Sequence, residues 1–220
     1  MYRIGILSDT HGLLRDEVLQ VLEGCDAILH GGDINRQEII DTLNQIAPVY
    51  VVRGNNDKDW AEHLPLFLDI TLFGLHIYIT HKKKDLPSDL SSYNLAVYGH
   101  SHRYDLKTTK GVTLLNPGSC GPRRFHQEIT MAVLTITKDG QIHDLQKIDI
   151  PHEKMSSLPS EARNVKSDIE KVMQAVDKGK SVSEISRSLS LPEDLTEQIC
   201  RLYLTHPGVD ADGIMTKMGL

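Results

Sequence analysis

Long apolar runs are missing from this 220-residue sequence: none approaches the ~20 residues needed to span a bilayer. Its first residues, MYRIGILSDTHG, lack the basic leader, apolar core and small-residue cleavage site of a signal peptide. Cysteine is scarce. Cys25, Cys120 and Cys200 stand far apart and form no CxxC pair, which suits a reducing, cytoplasmic setting. An excess of positive charge is also absent, since 24 Lys and Arg face 30 Asp and Glu for a formal net charge of −6. That balance speaks against a nucleic-acid backbone as the resting partner. Metal sites also concentrate carboxylates, so the acidity has a second possible cause. What is present is ordinary globular material, 40% hydrophobic and 25% charged, long enough for one large domain or one domain plus a small module.

The first third alternates strand and helix. RIGIL (3–7) is a short apolar run ended by SDTHG, and LLRDEVLQVL (13–22) sets Leu14, Val18, Leu19 and Leu22 at helical spacing. DAILHGGD (26–33) reads as a strand, RQEIIDTLNQI (36–46) as an amphipathic helix, and PVYVVRGNND as a third strand with a polar end. This β-α-β-α-β order predicts a parallel, helix-covered sheet. From residue 66 the period changes to hairpins around Phe73-Gly74, Lys110-Gly111 and Asp139-Gly140, with NLAVYGH as a buried strand. An α/β first half and a β-rich second half predict two sheets packed face to face, with helices outside. Residues 151–164, PHEKMSSLPSEARN, read as a linker, and 165–220 as a helical module.

Polar clusters follow the apolar runs: Asp9-Thr10-His11, Gly32-Asp33, Asn55-Asn56-Asp57, His81, and Gly99-His100-Ser101-His102. In an open α/β sheet, loops after the carboxyl ends of the strands converge on one rim, where ligands bind. Asp, His, Asp, Asn and three more His would meet there in one small volume. Such a ring is costly without a cation, because desolvation and like charges oppose it. Seven side chains suit two divalent ions with a bridging carboxylate. Two ions ~3.5–4 Å apart can share a hydroxide that attacks phosphorus in line. Imidazole, carboxylate and amide oxygen without thiolate fit Mn²⁺ first, with Fe²⁺, Zn²⁺, Ni²⁺ or Mg²⁺ as the other candidates.

D9-x-H11, G32-D33, G54-N55, H81 and G99-H100-x-H102, in that order, resemble the calcineurin-like metallophosphoesterases, in particular their small bacterial and archaeal phosphodiesterases. NPGS (116–119) followed by Pro122-Arg123 adds to the likeness, which covers residues 1 to about 150. The resemblance implies a four-layer αββα sandwich, an α/β fold of two mixed sheets flanked by helices. It implies that Asp9, His11 and His102 hold one metal, that Asn55, His81 and His100 hold the other, and that Asp33 bridges them. Asp33, Asn55, Asn56 and His100 are then the expected catalytic residues, with Asn56 and Arg123 meeting a small phosphate-ester substrate.

Two positions depart from the family pattern. The superfamily's phosphatases usually carry histidine after the motif asparagine, as the acid that assists the leaving group. Here Asn56 stands there, and an amide cannot donate a full proton near neutral pH. A phosphodiesterase is therefore expected over a monoesterase. The second departure is Lys82, which opens a Lys82-Lys83-Lys84 run that either steers an anionic substrate or is a solvated loop. His30, just before Gly31-Gly32-Asp33, is the histidine outside the motifs most expected to support the site.

SVSEISRSLSLPEDLTEQICRLYLTHPG has helix–turn–helix spacing, with Ile185, Leu189, Leu191, Leu195, Ile199 and Leu202 as a small core. Eight Lys and Arg face ten Asp and Glu over 155–220, and Pro192-Glu193-Asp194 would set like charge against phosphates. A packing or oligomer-forming module is expected there rather than a DNA reader, and no membrane contact. Two alternatives stay open at this stage. One is a non-catalytic metal-binding scaffold, as the retromer subunit of this fold is; the other is a nucleic-acid-directed phosphodiesterase.

Overall fold

The computed structural model describes residues 1–122, 127–151, 165–206 and 208–218. The chain divides into two compact units, Met1–His152 and Glu153–Leu220.

The first unit begins β1 (Tyr2–Leu7), α1 (Asp16–Leu22), β2 (Ala27–His30), α2 (Gln37–Asn44) and β3 (Val49–Val51). It continues with β4 (Phe67–Leu72), β5 (Leu75–Thr80), β6 (Leu95–Val97), β7 (Tyr104–Thr109), β8 (Val112–Pro117), β9 (Thr130–Ile136) and β10 (Ile142–Asp149). Two five-stranded mixed sheets result, ordered β10-β9-β1-β2-β3 and β4-β5-β6-β8-β7. Each contains a parallel triplet, β1-β2-β3 in one and β5-β6-β8 in the other. Strand alternation divides the apolar residues between layers. Ile4, Ile6, Leu29, Ile77, Ile79 and Leu134 belong to one core shared by the two sheets. Leu7, Ile28 and Val51 belong to a second, which the helices cover with Val18, Leu22 and Leu43. On the other sheet Tyr78, Ala96, Tyr98 and Leu114 form a third cluster, over which Leu86, Leu90 and Tyr93 pack from the segment after β5. The α/β sandwich of two mixed sheets expected from the sequence is therefore present.

The α/β first half and the β-rich second half are both present, but they do not keep one sheet each. The last hairpin, β9–β10, returns to the first sheet, where β9 pairs antiparallel with β1. The cause is legible in TMAVLTI, which is buried along nearly its whole length and so belongs inside a sheet, whereas β10 is exposed or half-buried throughout. Pairing with β9 also removes what would be a bare edge on β1.

The second unit contains α3 (Val165–Asp177), α4 (Val182–Leu189), α5 (Glu193–Thr205) and α6 (Ala211–Met218). Ser181 and Glu184 form a reciprocal capping box at the start of α4, and Ser190 ends that helix in the left-handed region at φ 51°. Of the core expected there, Ile185, Leu191 and Ile199 are buried, while Leu189, Leu195 and Leu202 pack partly buried against them with Ile169 and Val172 of α3. Apart from Pro151, the expected linker 151–164 lies outside the described residues. Among the described residues no helix is long and apolar enough to cross a membrane.

Replacing a fully buried side chain shared by the sheets tests this layering. Ile77→Ala should lower unfolding stability by about 2–5 kcal/mol in urea titration. Ile142→Ala, on the exposed edge strand, should cost well under half of that.

Candidate metal centre

The carboxyl ends of β1, β2, β5 and β6 run directly into the polar clusters, and β3 leads to a further one at Asn55. The loops then bend sharply. Asp9, His11, Asp33, His100 and His102 all have positive φ, at 55°, 45°, 57°, 71° and 58°. Left-handed backbone at a non-glycine residue costs roughly 1 kcal/mol or more, and persists where surrounding structure determines it. Here the loops hold one another. The N–H groups of Asp9 and His11 donate to the carbonyls of Gly32 and Asp33, each at 2.9 Å, and that of Gly99 donates to His81 at 3.0 Å.

The main brace is Asp57, a residue to which sequence reasoning gave no role. Its buried carboxylate accepts from the N–H groups of Asp33 (2.9 Å), Ile34 (2.7 Å), Asn35 (2.7 Å) and Gly54 (2.7 Å). It thereby ties the turn carrying Asp33 to the turn carrying Asn55. Gly54 is required by the same packing, because a Cβ there would collide with the Asp33 main-chain nitrogen and Oδ1. Asp57 directly follows Asn55 and Asn56, a position that in sequence marks it only as one more polar loop residue.

These braces bring acids and imidazoles from distant segments together. His102 Nε2 lies 3.2 Å from Asp9 Oδ1 and 3.1 Å from His11 Nε2, and His11 Nε2 lies 3.7 Å from the same Asp9 oxygen. Asp33 Oδ2 is 3.4 Å from His81 Nε2 and 3.8 Å from His11 Nε2, so one oxygen reaches both sides. Asp9-His11-His102 and Asp9-Asp33-His81 each offer three ligand atoms within 4.8 Å of one another. Asp9 thus belongs to both groups. Its other oxygen is already committed, accepting from the Ser8 hydroxyl at 2.6 Å and the His100 N–H at 3.0 Å.

The donor set fits cations. His81 Nδ1 lies 2.8 Å from the Gly31 carbonyl, which can only accept, so Nδ1 carries the proton in the neutral ring and Nε2 keeps its lone pair facing the carboxylates. Asp9 Oδ1, His81 Nε2 and His102 Nδ1 are buried without a hydrogen bond among the described residues. Each such group costs about 1–3 kcal/mol when unmet, and a positive partner would meet Asp9 Oδ1 and His81 Nε2, which fall in one ligand group. The charges agree. Burial opposes ionisation of Asp33, but His81, the Asn56 N–H and His11 hold it well below the usual carboxylate range. Burial likewise opposes ionisation of Asp9, yet His102 and Ser8 hold it low. Burial disfavours charge on His81 too, but Asp33 beside it raises its pKa.

The remaining expected residues fall in different places. Asn55 and His100 are exposed at the rim, with the His100 ring edge-on to His81 at 5.2 Å. Asn56 is turned onto Asp33, its N–H and its side-chain amide each donating at 2.7 Å to the two carboxylate oxygens. His30 lies buried behind the loops, with Nδ1 accepting from the Gly32 N–H at 3.1 Å and Nε2 3.1 Å from the Thr10 hydroxyl. Burial pushes its pKa down to about 4, so it braces as a neutral ring. In NPGS, Ser119 donates to the Asp9 carbonyl at 2.8 Å and Asn116 to the Gly99 carbonyl at 2.8 Å. Cys120 is fully buried, that burial pushes its thiol up to about 12, and it belongs to neither ligand group. Of the lysine run, Lys83 is paired with Asp105 at 3.0 Å and stands over the Tyr98 ring, so it is not a free steering charge. Arg123 lies outside the described residues.

Asp57→Asn tests the brace. An amide nitrogen in place of either oxygen deprives two main-chain donors of their acceptor, whichever way the side chain turns. Stability should fall by about 1–3 kcal/mol, and the metal content of protein dialysed against Mn²⁺ should fall with it. Wild-type stability together with wild-type metal content would contradict the role.

Comparison with known proteins gives the centre its family. Residues 2–139 match the family model of the calcineurin-like phosphoesterase superfamily domain. A probable metallophosphoesterase of Methanothermobacter thermautotrophicus is 25% identical over 159 residues, covering 66% of this chain and 91% of that protein. A phosphodiesterase of Methanocaldococcus jannaschii is 25% identical over 139 residues, covering 54% of this chain and 84% of its own length. Among solved structures, an archaeal phosphodiesterase has a TM-score of 0.57 at 23% identity, over 67% of this chain and 99% of that one. Chaetomium thermophilum Vps29 has a TM-score of 0.54 at 17% identity, over 69% of this chain and all of the other, so both structures share the fold. A match over residues 2–139, on two mixed sheets whose loops gather acids and histidines at one rim, makes this chain a member of the calcineurin-like phosphoesterase superfamily.

Proposed function

We propose that this chain is a phosphodiester hydrolase that works with two divalent cations, Mn²⁺ foremost. The observation that carries the reading is Asp33 Oδ2, set 3.4 Å from His81 Nε2 and 3.8 Å from His11 Nε2, which belong to different ligand groups. Asp9, His11 and His102 would hold one ion and Asn55, His81 and His100 the other, with Asp33 shared between them. Bound there, the ions supply Lewis acidity at the phosphoryl oxygens and lower the pKa of an attacking water.

The chain's own residues prepare this chemistry. Asp57 and the left-handed turns fix the donors before any ion arrives, so little reorganisation is needed. Two hydrogen bonds from Asn56 hold Asp33 in one orientation. Because Asn56 is an amide, it offers no proton to a leaving oxygen, which favours diesters with leaving groups that depart unprotonated. The substrate is a small phosphate ester. The three free cysteines are all buried, which fits a reducing cytoplasm. The fold is shared with Vps29, so fold alone does not separate enzyme from scaffold; donor-type residues at all seven positions of the sequence favour the enzyme.

Metal-stripped protein refilled with Mn²⁺, Fe²⁺, Zn²⁺ or Mg²⁺ should hydrolyse bis-p-nitrophenyl phosphate faster than p-nitrophenyl phosphate. Asp33→Asn should lower that rate at least about a hundredfold, the scale of a lost cation clamp worth several kcal/mol. No turnover with any metal, or a rate indifferent to Asp33→Asn, would sink the proposal. Placing an acid beside Asn55 supplies a separate check: Asn56→His should raise the monoester rate relative to the diester rate by about tenfold or more. An unchanged ratio would count against Asn56 as the origin of the preference.

A further inference from the structure

Beside the metal cluster lies a cavity of about 460 Å³, lined in part by Asn55 and His81. Its lining also includes Leu66, Phe67 and Tyr78, with Lys82 alongside. These apolar residues take no part in the proposed phosphoryl chemistry. Leu66 is 69% exposed and Phe67 54% exposed, two adjacent large hydrophobic side chains left in water next to a polar site. Strand alternation explains how they came there. Along β5, Ile77 and Ile79 belong to the core between the sheets, while Tyr78 and Thr80 face the other way. Phe67 pairs with Thr80 across β4–β5, and its ring stacks on Tyr78 with centroids 5.5 Å apart and planes within 11°. Tyr78 is in turn held edge-on by Tyr93 at 5.4 Å. The Phe67 ring is thus fixed on a buried aromatic, while the residue lines the cavity and stays more than half exposed.

We propose that this cavity binds a planar aromatic substituent of the phosphodiester substrate, laid against Phe67 and flanked by Leu66. The proposal rests on the phosphodiesterase reading and adds the class of ester to it. A phosphate group alone would occupy only the Asn55–His81 side of the cavity, leaving Phe67 and Leu66 uncovered. An aryl or nucleobase ring covers them, and offset stacking on an aromatic face adds to the area removed from water. Of the charged residues lining the cavity, Arg53 and Lys82 outnumber Asp85, so a phosphodiester oxygen or a polar ring atom would meet net positive charge there. An aliphatic substituent would bury area too, but would not use the fixed plane of the Phe67–Tyr78 pair.

Product analogues separate this from the underlying reading. Methyl phosphate, phenyl phosphate and thymidine 5′-monophosphate are titrated calorimetrically into Mn²⁺-loaded protein, alongside hydrolysis of bis-p-nitrophenyl phosphate. At least one aromatic ligand should bind about tenfold tighter than methyl phosphate, the scale of one stacking contact. Phenyl phosphate alone would identify an aryl ester; thymidine monophosphate as well would identify a nucleoside ester. In Phe67→Ala the ratio should collapse toward one, and in Phe67→Tyr it should persist, with thermal melting confirming that each variant is folded. Equal binding of all three ligands, or a preference that survives Phe67→Ala, overturns the aromatic pocket while leaving hydrolysis intact. A Phe67→Ala change in oligomeric state without a change in ligand ratio also overturns it, and assigns the patch to a second copy of the chain. Absence of both hydrolysis and phosphate binding overturns the phosphodiesterase reading itself.

Discussion

Four main-chain N–H groups, from Asp33, Ile34, Asn35 and Gly54, converge on the carboxylate of Asp57 at 2.7 to 2.9 Å. Such a charge-assisted cluster is among the stronger hydrogen-bonding arrangements a fold can make, because each donor meets an ionised acceptor in a dry setting. It joins two turns that the Asn56–Asp33 hydrogen bonds also tie. Asp33 can then sit in a left-handed conformation and present one oxygen to two histidines. Main-chain bonds extend the same stiffness to Asp9 and His11, and the His100 N–H ties the far loop to the Asp9 carboxylate. A site built from many loops gains order through this bracing.

The sandwich supplies the frame. Each sheet carries one parallel triplet, and two strand ends of the first and two of the second lead directly into metal-type donors. The core between the sheets, with Ile4, Ile6, Ile77 and Ile79, keeps those ends in register. Because the donors come from both sheets, no single element can deform the cluster without straining the shared core. Rigid elements carrying short, cross-bonded turns are what precise positioning of a cation cluster requires.

Residue type and order made much of this visible beforehand. Asp9, His11, Asp33, His81 and His102 are chemically distinctive and follow strands, so their convergence could be read from strand-end logic. Asp57 could not. A carboxylate that accepts main-chain N–H groups looks, in sequence, like any polar loop residue, and its partners depend on where two turns meet. The return of β9–β10 to the first sheet was half-legible, since TMAVLTI has the continuous apolar character of an interior strand but does not say which sheet it joins. Lys83 shows the same limit: its sequence neighbours suggested a basic run, whereas Asp105 and Tyr98, distant in sequence, decide its direction. Asn56 changed most in meaning. From sequence it is the position where an acid is missing; in the fold it is also a clamp on Asp33.

Cation stoichiometry tests the central claim most directly, because it does not depend on finding the natural substrate. Calorimetric titration of metal-free protein with Mn²⁺ should show two equivalents per chain, with both sites weakened in Asp33→Asn, as the proposed sharing of its carboxylate requires. A single equivalent, or loss of only one site on that substitution, would contradict a paired centre bridged by Asp33.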